Sequence, residues 1–253
     1  SPYGYSPWRV PWIHHVFENA PAVASGVWAA LKAQGRADTR VVVIGGDGAT
    51  FDIGFGALSG MLERGDDVLY ICTDNGAYMN TGGQRSGATP ACAATTTHPA
   101  GKYSVGKTEK KKDLPAIVAA HGVSYVATAS VAYLRDLKKK VNKAMTLNGP
   151  RYIQIDTPCP SAWSFASHLT LEIGRAGVNC GLVPLFEMED GNITAVRKIK
   201  KKLPVADYLK SQKRYRHLFE DDRGPIEVQK LQALADKNIE TYGLMGVKTN
   251  EQI

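Results

Sequence analysis

A short run of β-branched residues that ends in a glycine-rich turn constrains the fold of this chain more than any other feature. Residues 40–44 are Arg-Val-Val-Val-Ile, which predicts a strand buried on both faces, and Gly45-Gly46-Asp47-Gly48 follows directly. Apolar residues at helical spacing then occupy 53–64, and a second short apolar run occupies 68–73. Strands that are separated by helices predict βαβ units and a mostly parallel sheet.

The same alternation continues as far as Asp156. The further elements that the pattern predicts are a helix over 18–35 that ends on glycine, a helix over 114–121 capped by Asp113, a strand over 124–127, a helix from Ser130 to Met145 and a strand over 151–155. Between Asp74 and Asp113 lies a long stretch rich in Gly, Thr, Ser and Ala, longer than a structural connection needs. We expect this loop to be functional.

The regular alternation stops beyond Asp156. Residues 204–213 and 224–243 are predicted to be helices of an arm that packs on a partner subunit. We therefore expect an α/β domain over residues 1–190 and a C-terminal arm over 191–253. Because the chain starts without an initiator methionine, we also expect an N-terminal segment of the domain to be missing.

The positive charge of the chain lies mainly in lysine clusters. The formal net charge is +7, and three-lysine runs occur at 110–112, 138–140 and 200–202. Solvated surface is the favoured interpretation, and a docking face for an acidic electron carrier or subunit is the functional alternative.

The four cysteines show no CxxC spacing, which favours a reducing compartment such as the cytoplasm. No apolar run reaches the roughly 18 residues that span a bilayer, so we expect no membrane partner.

The glycine-rich turn places an acidic residue where open α/β sheets bind ligands, at the carboxyl end of a strand and before a helix. Asp47 can hold a hard cation, and Asn75 follows the next strand along the chain. Two adjacent strand ends can share one Mg²⁺ ion whose shell a diphosphate completes. Neither GxxxxGK[ST] nor GxGxxG follows this strand, which excludes a P-loop and the dinucleotide fingerprint at this turn. Residues 101–108 match GxxxxGK[ST], but they lie within the long loop rather than after a predicted strand. Asp52 is expected to cap the helix from Ile53.

The segment from Gly46-Asp47-Gly48 to Asn75 resembles the diphosphate-binding motif of thiamine diphosphate (ThDP) enzymes. Residues 46–54 and 80–86 more specifically resemble the β subunit of 2-oxoacid:ferredoxin oxidoreductases. The likeness extends to residues 12–14, 17–20, 89–90, 157–160 and 184–187. It implies an α/β fold with a mostly parallel doubly wound sheet of the ThDP-binding (PP-type) kind and a C-terminal helical arm.

This resemblance implies roles for individual residues. Asp47, the Asn75 side chain and the Ala77 carbonyl would ligate Mg²⁺, and Asn80 would lie near the thiazolium carbon as the catalytic residue. The cofactor-binding residues would be Gly46, Asp47, Gly48, Ala49, Asn75, Ala77, Tyr78 and Asn80. Tyr78 and Gln84 either line a substrate entrance or hold the glycine-rich loop against a neighbouring subunit.

The family also implies a [4Fe-4S] cluster and several partners. Cys159 matches the last of four cysteine ligands, and the other three belong to an upstream segment that the sequence does not contain. Cys72, Cys92 and Cys180 do not occupy cluster positions. The implied partners are a subunit with the pyrimidine-binding thiamine domain, a ferredoxin-like cluster subunit, ferredoxin itself, a 2-oxoacid and coenzyme A.

Three functions remain open at this point. The favoured one is oxidative decarboxylation of a 2-oxoacid, which yields CO₂ and an acyl-CoA. Pyruvate is expected, with branched-chain, 2-oxoglutarate, aryl or oxalate substrates as alternatives. A ThDP-dependent decarboxylase or transketolase-like enzyme without redox function is the second. A nucleic-acid-binding module is disfavoured, because no aromatic or arginine-rich motif interleaves with the lysines.

Overall fold

A six-stranded sheet forms the centre of the protein. The structure is a computed structural model that describes residues 10–220 and 222–246. The strands are β1 (Val41–Gly46), β2 (Val68–Asp74), β3 (Ala100–Gly101), β4 (Ser104–Val105), β5 (Tyr125–Ser130), β6 (Arg151–Asp156), β7 (Phe186–Glu189) and β8 (Asn192–Val196). The sheet order is β1-β2-β6-β5-β7-β8, with the first four strands parallel, and β3 and β4 form a separate hairpin. The predicted mostly parallel α/β fold is confirmed.

Helices cover both faces of this sheet. They are α1 (Ala20–Ala33), α2 (Phe55–Glu63), α3 (Leu114–Ala119), α4 (Leu134–Thr146), α5 (Pro160–Trp163), α6 (Thr170–Asn179), α7 (Val205–Lys210) and α8 (Gly224–Thr241). Side chains of α1, α2 and α3 share one apolar core with β1 and β2, and α4 shares another with β5 and β6 on the opposite face. The doubly wound arrangement follows from this, because a sheet buried on both sides needs a helical layer on each.

Several local signals gave the correct element boundaries. Asp113 accepts a hydrogen bond from the backbone N–H of Ala116 at 3.2 Å, as an N-cap does. Ser130 accepts one from Ala132 at 3.3 Å, at the start of the turn that leads into α4. Gly35 follows α1 with φ +71°, a conformation that favours glycine. The polar caps and the terminal glycine were therefore informative.

The prediction that Asp52 caps a helix from Ile53 is wrong. A π-helical turn over Ala49–Ile53 precedes α2, which begins at Phe55. The Asp52 carboxylate instead accepts hydrogen bonds from the Gly87 backbone N–H at 2.8 Å and the Tyr78 hydroxyl at 3.0 Å. Donors from the distant glycine-rich loop thus replace the local backbone as its partners.

The prediction that the first strand is buried on both faces is also wrong. Val42 and Ile44 of β1 are 42% and 39% exposed, whereas Val41 and Val43 are buried. β1 lies at the edge of the sheet, and α4 packs over β5 and β6 on the opposite side of the sheet from α1. A β-branched run therefore signals a strand here without signalling that both faces are covered.

The β7–β8 hairpin and helix α6 were missed by the sequence patterns. β7 is Phe-Glu-Met-Glu, which is too polar and too short to stand out, and it pairs antiparallel with β5. The predicted domain boundary at residue 190 falls inside this hairpin, so β8 belongs to the sheet rather than to the arm. The division of the chain into a domain and an arm otherwise stays a prediction.

A buried carboxylate fixes β7 to the sheet. Glu187 accepts hydrogen bonds from the Tyr125 hydroxyl at 2.9 Å and from Lys143 Nζ at 3.1 Å. Burial alone acts to raise the pKa of Glu187, but the bonds from Tyr125 and Lys143 outweigh it and lower the pKa below its usual value. This stabilisation is present above the pKa of the unfolded carboxyl group, about 4.3, and is lost as the pH falls through the lower folded-state pKa.

We expect Glu187→Gln to lower the free energy of unfolding at pH 7 by about 2 kcal/mol, because it removes one partner of a buried charged pair. The loss should shrink as the pH is lowered below 4. Urea unfolding at pH 7 and at a pH below 4 measures this loss of stability. Glu189→Gln is the matched control, since Glu189 contacts the same Lys143 at 2.8 Å but is about one third exposed. Equal losses for both variants would contradict this assignment.

The C-terminal helices pack on the domain itself. Side chains of α6, α7 and α8 surround Trp163 and Tyr215 in a separate apolar core. The described part of the chain contains no helix with the length and apolarity needed to cross a membrane.

The lysine clusters are only partly solvated, so their interpretation as surface needs correction. Residues 200–202 are exposed, as predicted. Lys140 is instead buried and donates to the Thr128 carbonyl at 2.8 Å and to Asp136 at 2.7 Å. Lys111 forms an ion pair with Asp74 at the end of β2, and Lys112 forms one with Asp52 in the π-helical turn. The partners of Lys111 and Lys112 were not predicted because these acidic residues are remote in sequence, whereas Asp136 lies only four residues before Lys140.

Candidate functional site

The carboxyl ends of three parallel strands bring three acidic residues side by side. Asp47 follows β1 directly, Asp74 ends β2 and Asp156 ends β6. The strand register pairs Gly46 with Thr73 and Asp74 with Asp156. The predicted meeting of two strand ends is thus observed, because the Asn75 backbone N–H donates to Asp47 Oδ1 at 3.4 Å.

Asp47 is a buried carboxylate that no cationic side chain of the described chain contacts. Its Oδ2 accepts a hydrogen bond from the Ser86 hydroxyl at 2.6 Å, and the side chain is almost fully buried. Burial first, and then the neighbouring charge of Asp74, raises the pKa of Asp47 to about 7. A divalent cation would offset both effects, since it stabilises the ionised form.

Asp74, in contrast, is satisfied by the protein. It forms an ion pair with Lys111, accepts from Gln154 Nε2 at 2.8 Å and accepts from the Gly76 N–H at 3.1 Å. Burial acts to lower the pKa of Lys111, but contact with Asp74 raises it above the usual value. Asp156 has its pKa raised to about 7 by burial and then by Asp74. Lys111 therefore neutralises Asp74, whereas Asp47, which lies beside Asn75, has no cationic partner among the described residues.

In the turn after β2, the carbonyl oxygen of one buried residue has no donor among the described residues. The Asn75 carbonyl accepts from the Trp163 indole N–H at 2.7 Å, and the Gly76 carbonyl accepts from the Thr89 hydroxyl at 2.6 Å. No residue in the described ranges donates to the carbonyl of Ala77, although Ala77 is buried. Buried carbonyls are rarely left unpaired, so this oxygen points to a missing partner.

These oxygens fit Mg²⁺ and a diphosphate. A carboxylate from Asp47, an amide oxygen from Asn75 and the Ala77 carbonyl are hard ligands, and Mg²⁺ commonly takes its remaining ligands from phosphate and water. Asn75 Oδ1 accepts only the Ala77 N–H, at 3.1 Å, among the hydrogen bonds of the described chain. No three Asp, Glu, His or Cys side chains within residues 10–220 and 222–246 form a metal-holding group. A bound cofactor would therefore have to complete the site.

The backbone beside Asp47 is closely covered. A Cβ atom added to Gly48 would lie 2.5 Å from the ring of Tyr78, so only glycine fits there. Tyr78 donates its hydroxyl to Asp52, and burial followed by Asp52 raises the pKa of Tyr78. Gly46 accepts a hydrogen bond from the Thr50 hydroxyl at 2.6 Å, and Ala49 is buried in the π-helical turn. Tyr78 thus holds the glycine-rich loop against the strand end.

Asn80 and Gln84 lie farther along this loop. Asn80 is exposed, so its contact with the cofactor stays a prediction. The Gln84 side chain bonds to Thr81 through both its oxygen and its nitrogen. The Gln84 backbone carbonyl accepts from the Tyr78 N–H at 2.9 Å. These bonds stabilise the loop internally, a structural role for Gln84.

Cys159, the predicted cluster ligand, has a free thiol. It lies at the N-cap of α5, where Sγ accepts from the Ala162 N–H at 3.4 Å, and it is half-buried. Cys72, Cys92 and Cys180 are buried, and all four cysteines are free. The described residues offer no set of four thiolates, so they cannot by themselves hold a [4Fe-4S] cluster.

Sequence reasoning missed four residues that support this site. They are Ser86, Thr89, Lys111 and Trp163. Ser86 and Thr89 lie in the long loop that was expected to be functional, but nothing in the pattern assigns them to particular partners. Lys111 was grouped with solvated lysines, and Trp163 lies four positions after Cys159 without any helical or strand periodicity.

Comparison with known proteins agrees with the resemblance noted above. Residues 3–155 match the family "thiamine pyrophosphate enzyme, C-terminal TPP binding domain". The chain is 56% identical over 245 residues to pyruvate synthase subunit PorB of Methanosarcina barkeri, covering 96% of this chain and 83% of that protein. It is 44% identical over 229 residues to ketoisovalerate oxidoreductase subunit VorB of Pyrococcus abyssi, covering 88% and 74%.

A solved structure is also similar. It is 2-oxoglutarate:ferredoxin oxidoreductase from Magnetococcus marinus with 2-oxoglutarate, coenzyme A and succinyl-CoA bound, with a TM-score of 0.51 at 32% identity. The superposition covers 57% of this chain and 46% of that chain. On the extent of these matches, the chain belongs to the thiamine pyrophosphate enzyme family and, within it, to the β subunits of the 2-oxoacid:ferredoxin oxidoreductases.

Proposed function

We propose that this chain is the ThDP-binding catalytic subunit of a pyruvate:ferredoxin oxidoreductase. The reaction is the oxidative decarboxylation of pyruvate with coenzyme A to CO₂ and an acyl-CoA, with electrons passed through [4Fe-4S] clusters to ferredoxin. The name of the 56% identical relative supports pyruvate as substrate. The observation that carries the proposal is the unpaired Ala77 carbonyl beside Asp47 and Asn75, because these three oxygens suit a Mg²⁺ ion that holds a diphosphate.

In this proposal each residue of the site has a defined task. Asp47, Asn75 and Ala77 hold Mg²⁺, while Gly46, Gly48 and Ala49 bring backbone close to the diphosphate. Ser86 orients Asp47 through the 2.6 Å hydrogen bond. Lys111 neutralises Asp74, which keeps a second negative charge from competing for the cation.

The loop that follows the metal ligands supplies the remaining contacts. Tyr78 closes the loop over the strand end by bonding to Asp52. Asn80 is proposed to contact substrate at the reacting carbon. ThDP, when bound, supplies the electron sink that lets a 2-oxoacid lose CO₂.

The site is proposed to be completed by a partner subunit. We assign no residue of this chain to activating the pyrimidine end of ThDP. That task falls to a partner with the pyrimidine-binding thiamine domain. The arm that follows β8 is proposed to pack on such a partner. A ferredoxin-like cluster subunit and ferredoxin would accept the electrons, and neither nucleic acid nor membrane is involved. A cytoplasmic location fits four cysteines that are all free.

Cys159 is proposed to ligate the [4Fe-4S] cluster together with three upstream cysteines. Cys159 is half-buried and lies four residues before Trp163, whose indole bonds to the proposed metal-binding turn. This position supports a cluster close to ThDP. Cys159 is the one thiol of that set among the described residues, so the upstream segment would supply the other three ligands.

A branched-chain 2-oxoacid is the second candidate substrate. The 44% identity to a ketoisovalerate oxidoreductase subunit supports it, and a 2-oxoglutarate substrate has the weaker support of the 32% identical structure. A non-redox ThDP decarboxylase has no such support among the relatives named above.

The native complex that contains this chain distinguishes these substrates. Reduction of a one-electron acceptor should be fastest with pyruvate and should require ThDP, Mg²⁺ and coenzyme A. The assay compares pyruvate, 2-oxoisovalerate, 2-oxoglutarate, an aryl 2-oxoacid and oxalate. Turnover without an acceptor would favour the non-redox enzyme, and a higher kcat/KM for 2-oxoisovalerate would make the branched-chain assignment correct.

A further inference from the structure

The turn that carries two of the three proposed metal ligands is held by a residue outside the loop. Trp163, on the short helix α5, donates its indole N–H to the Asn75 carbonyl at 2.7 Å and is only 3% exposed. This bond joins the end of β2 to a segment 88 residues later in the chain. A buried hydrogen bond of this length fixes the peptide plane that it meets, because losing it leaves the carbonyl unpaired.

Further hydrogen bonds constrain the residues that carry the proposed metal-binding oxygens. The Asn75 side chain accepts from the Ala77 N–H at 3.1 Å, which ties the amide oxygen to the Gly76–Ala77 peptide. The Asn75 N–H in turn contacts Asp47 Oδ1 at 3.4 Å. The carbonyls of Asn75 and Gly76 are occupied by protein donors, which leaves the Ala77 carbonyl for the cation.

A buried guanidinium group supports the other side of the tryptophan. Arg214 lies with Cζ 3.8 Å from the centre of the Trp163 ring and is 7% exposed. Its Nε donates to Gln212 at 2.9 Å, and its Nη1 lies beside Gly76, 3.3 Å from where a Cβ would be. Arg214 therefore contacts both Trp163 and the metal-binding turn, and the segment over 213–219 packs directly against the site.

We propose that Trp163 is a positioning residue for the metal site, with Arg214 as its support. The indole N–H orders the turn over residues 75–77 before the cation arrives, so that the Asn75 amide and the Ala77 carbonyl face the same point. Preorganised ligands bind a cation more tightly because the turn need not be ordered on binding. This inference rests on the proposed function, since it assigns the support of the same ThDP and Mg²⁺ site.

The indole N–H is tested by Trp163→Phe in the assembled native complex. We expect the dissociation constant for Mn²⁺ in the presence of ThDP to rise about tenfold, which is the scale of one buried hydrogen bond. Free Mn²⁺ is counted by its electron paramagnetic resonance signal, which does not depend on turnover. The KM for ThDP should rise by a similar factor, while kcat at saturating cofactor should stay within about twofold of wild type, since a lost positioning contact weakens binding more than chemistry.

Trp28→Phe is the matched control, because Trp28 is half-buried on α1 and its ring contacts Lys32. It removes an indole N–H away from the site and should leave the Mn²⁺ affinity unchanged. Replacing Trp163 with benzothienylalanine keeps the ring size and deletes only the N–H, so it must reproduce the affinity loss even where the smaller phenylalanine disturbs packing. Arg214→Lys should weaken Mn²⁺ binding in the same direction.

Wild-type Mn²⁺ affinity in the benzothienylalanine protein would overturn the inference. Asp47→Ala measured alongside separates the positioning role of Trp163 from the proposed function. If Asp47→Ala loses the cation and the Trp163 variants do not, only the positioning role fails. If Asp47→Ala retains wild-type affinity, the proposed function itself fails.

Discussion

Replacing Asp47 with asparagine is expected to abolish binding of Mg²⁺ and ThDP, and with it turnover of the 2-oxoacid. Asp47 is the one carboxylate among the three proposed protein ligands. Removing a residue that only supports a metal ligand already weakens metal binding by about 10- to 100-fold. Removing the charged ligand itself should therefore weaken binding by more than about a hundredfold. Calorimetric titration of the cofactor-free complex with ThDP in the presence of Mg²⁺ measures this directly.

The same substitution should stabilise the cofactor-free protein at pH 8. Burial and Asp74 raise the pKa of Asp47 to about 7, so the ionised carboxylate opposes folding. Stability from this group is therefore present below the pKa of an unfolded Asp, about 3.9, and is lost as the pH rises through about 7. Asparagine removes that cost, and the melting temperature without cofactor should rise.

Asp66→Asn is the matched control for this prediction. Asp66 is equally buried but binds Ser25 at 2.5 Å and Arg64 at 3.1 Å, away from the strand ends. The Asp66→Asn substitution should lower the melting temperature and leave ThDP affinity unchanged. Loss of affinity in Asp66→Asn, or its retention in Asp47→Asn, would contradict the assignment of Asp47.

The second large effect is expected at Cys159. In the intact complex, Cys159→Ala should remove the cluster nearest ThDP, because a [4Fe-4S] cluster is held by four side-chain ligands and alanine cannot bind iron; the iron content should then fall by about four atoms per active site. Reduction of the one-electron acceptor should be lost, while ThDP binding is retained because Cys159 contacts none of the three proposed metal ligands. Iron analysis and the cluster's electron paramagnetic resonance signal measure the first effect.

Cys180→Ala provides the comparison for Cys159→Ala. Cys180 is fully buried and donates Sγ–H to the Gly177 carbonyl at 3.3 Å, so its loss affects packing alone. It should retain all of its iron. A Cys159→Ala complex with full iron content would show that this cysteine is not a cluster ligand.

The sequence predicted those parts of the fold that depend on local pattern. Apolar runs bounded by glycine gave β1 and β2, and Asp113 marked the start of α3 through a bond within four residues. The proposed metal ligands Asp47 and Asn75 were placed correctly at adjacent strand ends because parallel strands align their carboxyl ends. Resemblance to a family then supplied the identity of the cofactor.

The features that escaped prediction depend on contacts between distant segments. Asp52 was expected to cap its own helix but binds the loop 35 residues away. Lys111 gives no local sign of its bond to Asp74, and the Trp163 indole meets a carbonyl 88 residues earlier. β7 was missed because Glu187, a charged residue, is buried in the sheet by partners from β5 and α4. Such pairings become visible only when the chain is folded.

Locating the metal ion is the decisive experiment for this site. Crystals of the native complex with ThDP and Mn²⁺ in place of Mg²⁺ would show the ion by its anomalous scattering, since Mn²⁺ accepts the same oxygen ligands. We predict one peak within about 2.0–2.3 Å of Asp47, the Asn75 amide oxygen and the Ala77 carbonyl, bridged to the diphosphate. ThDP bound elsewhere, or a manganese ion that does not contact Asp47, would contradict the proposed cofactor site.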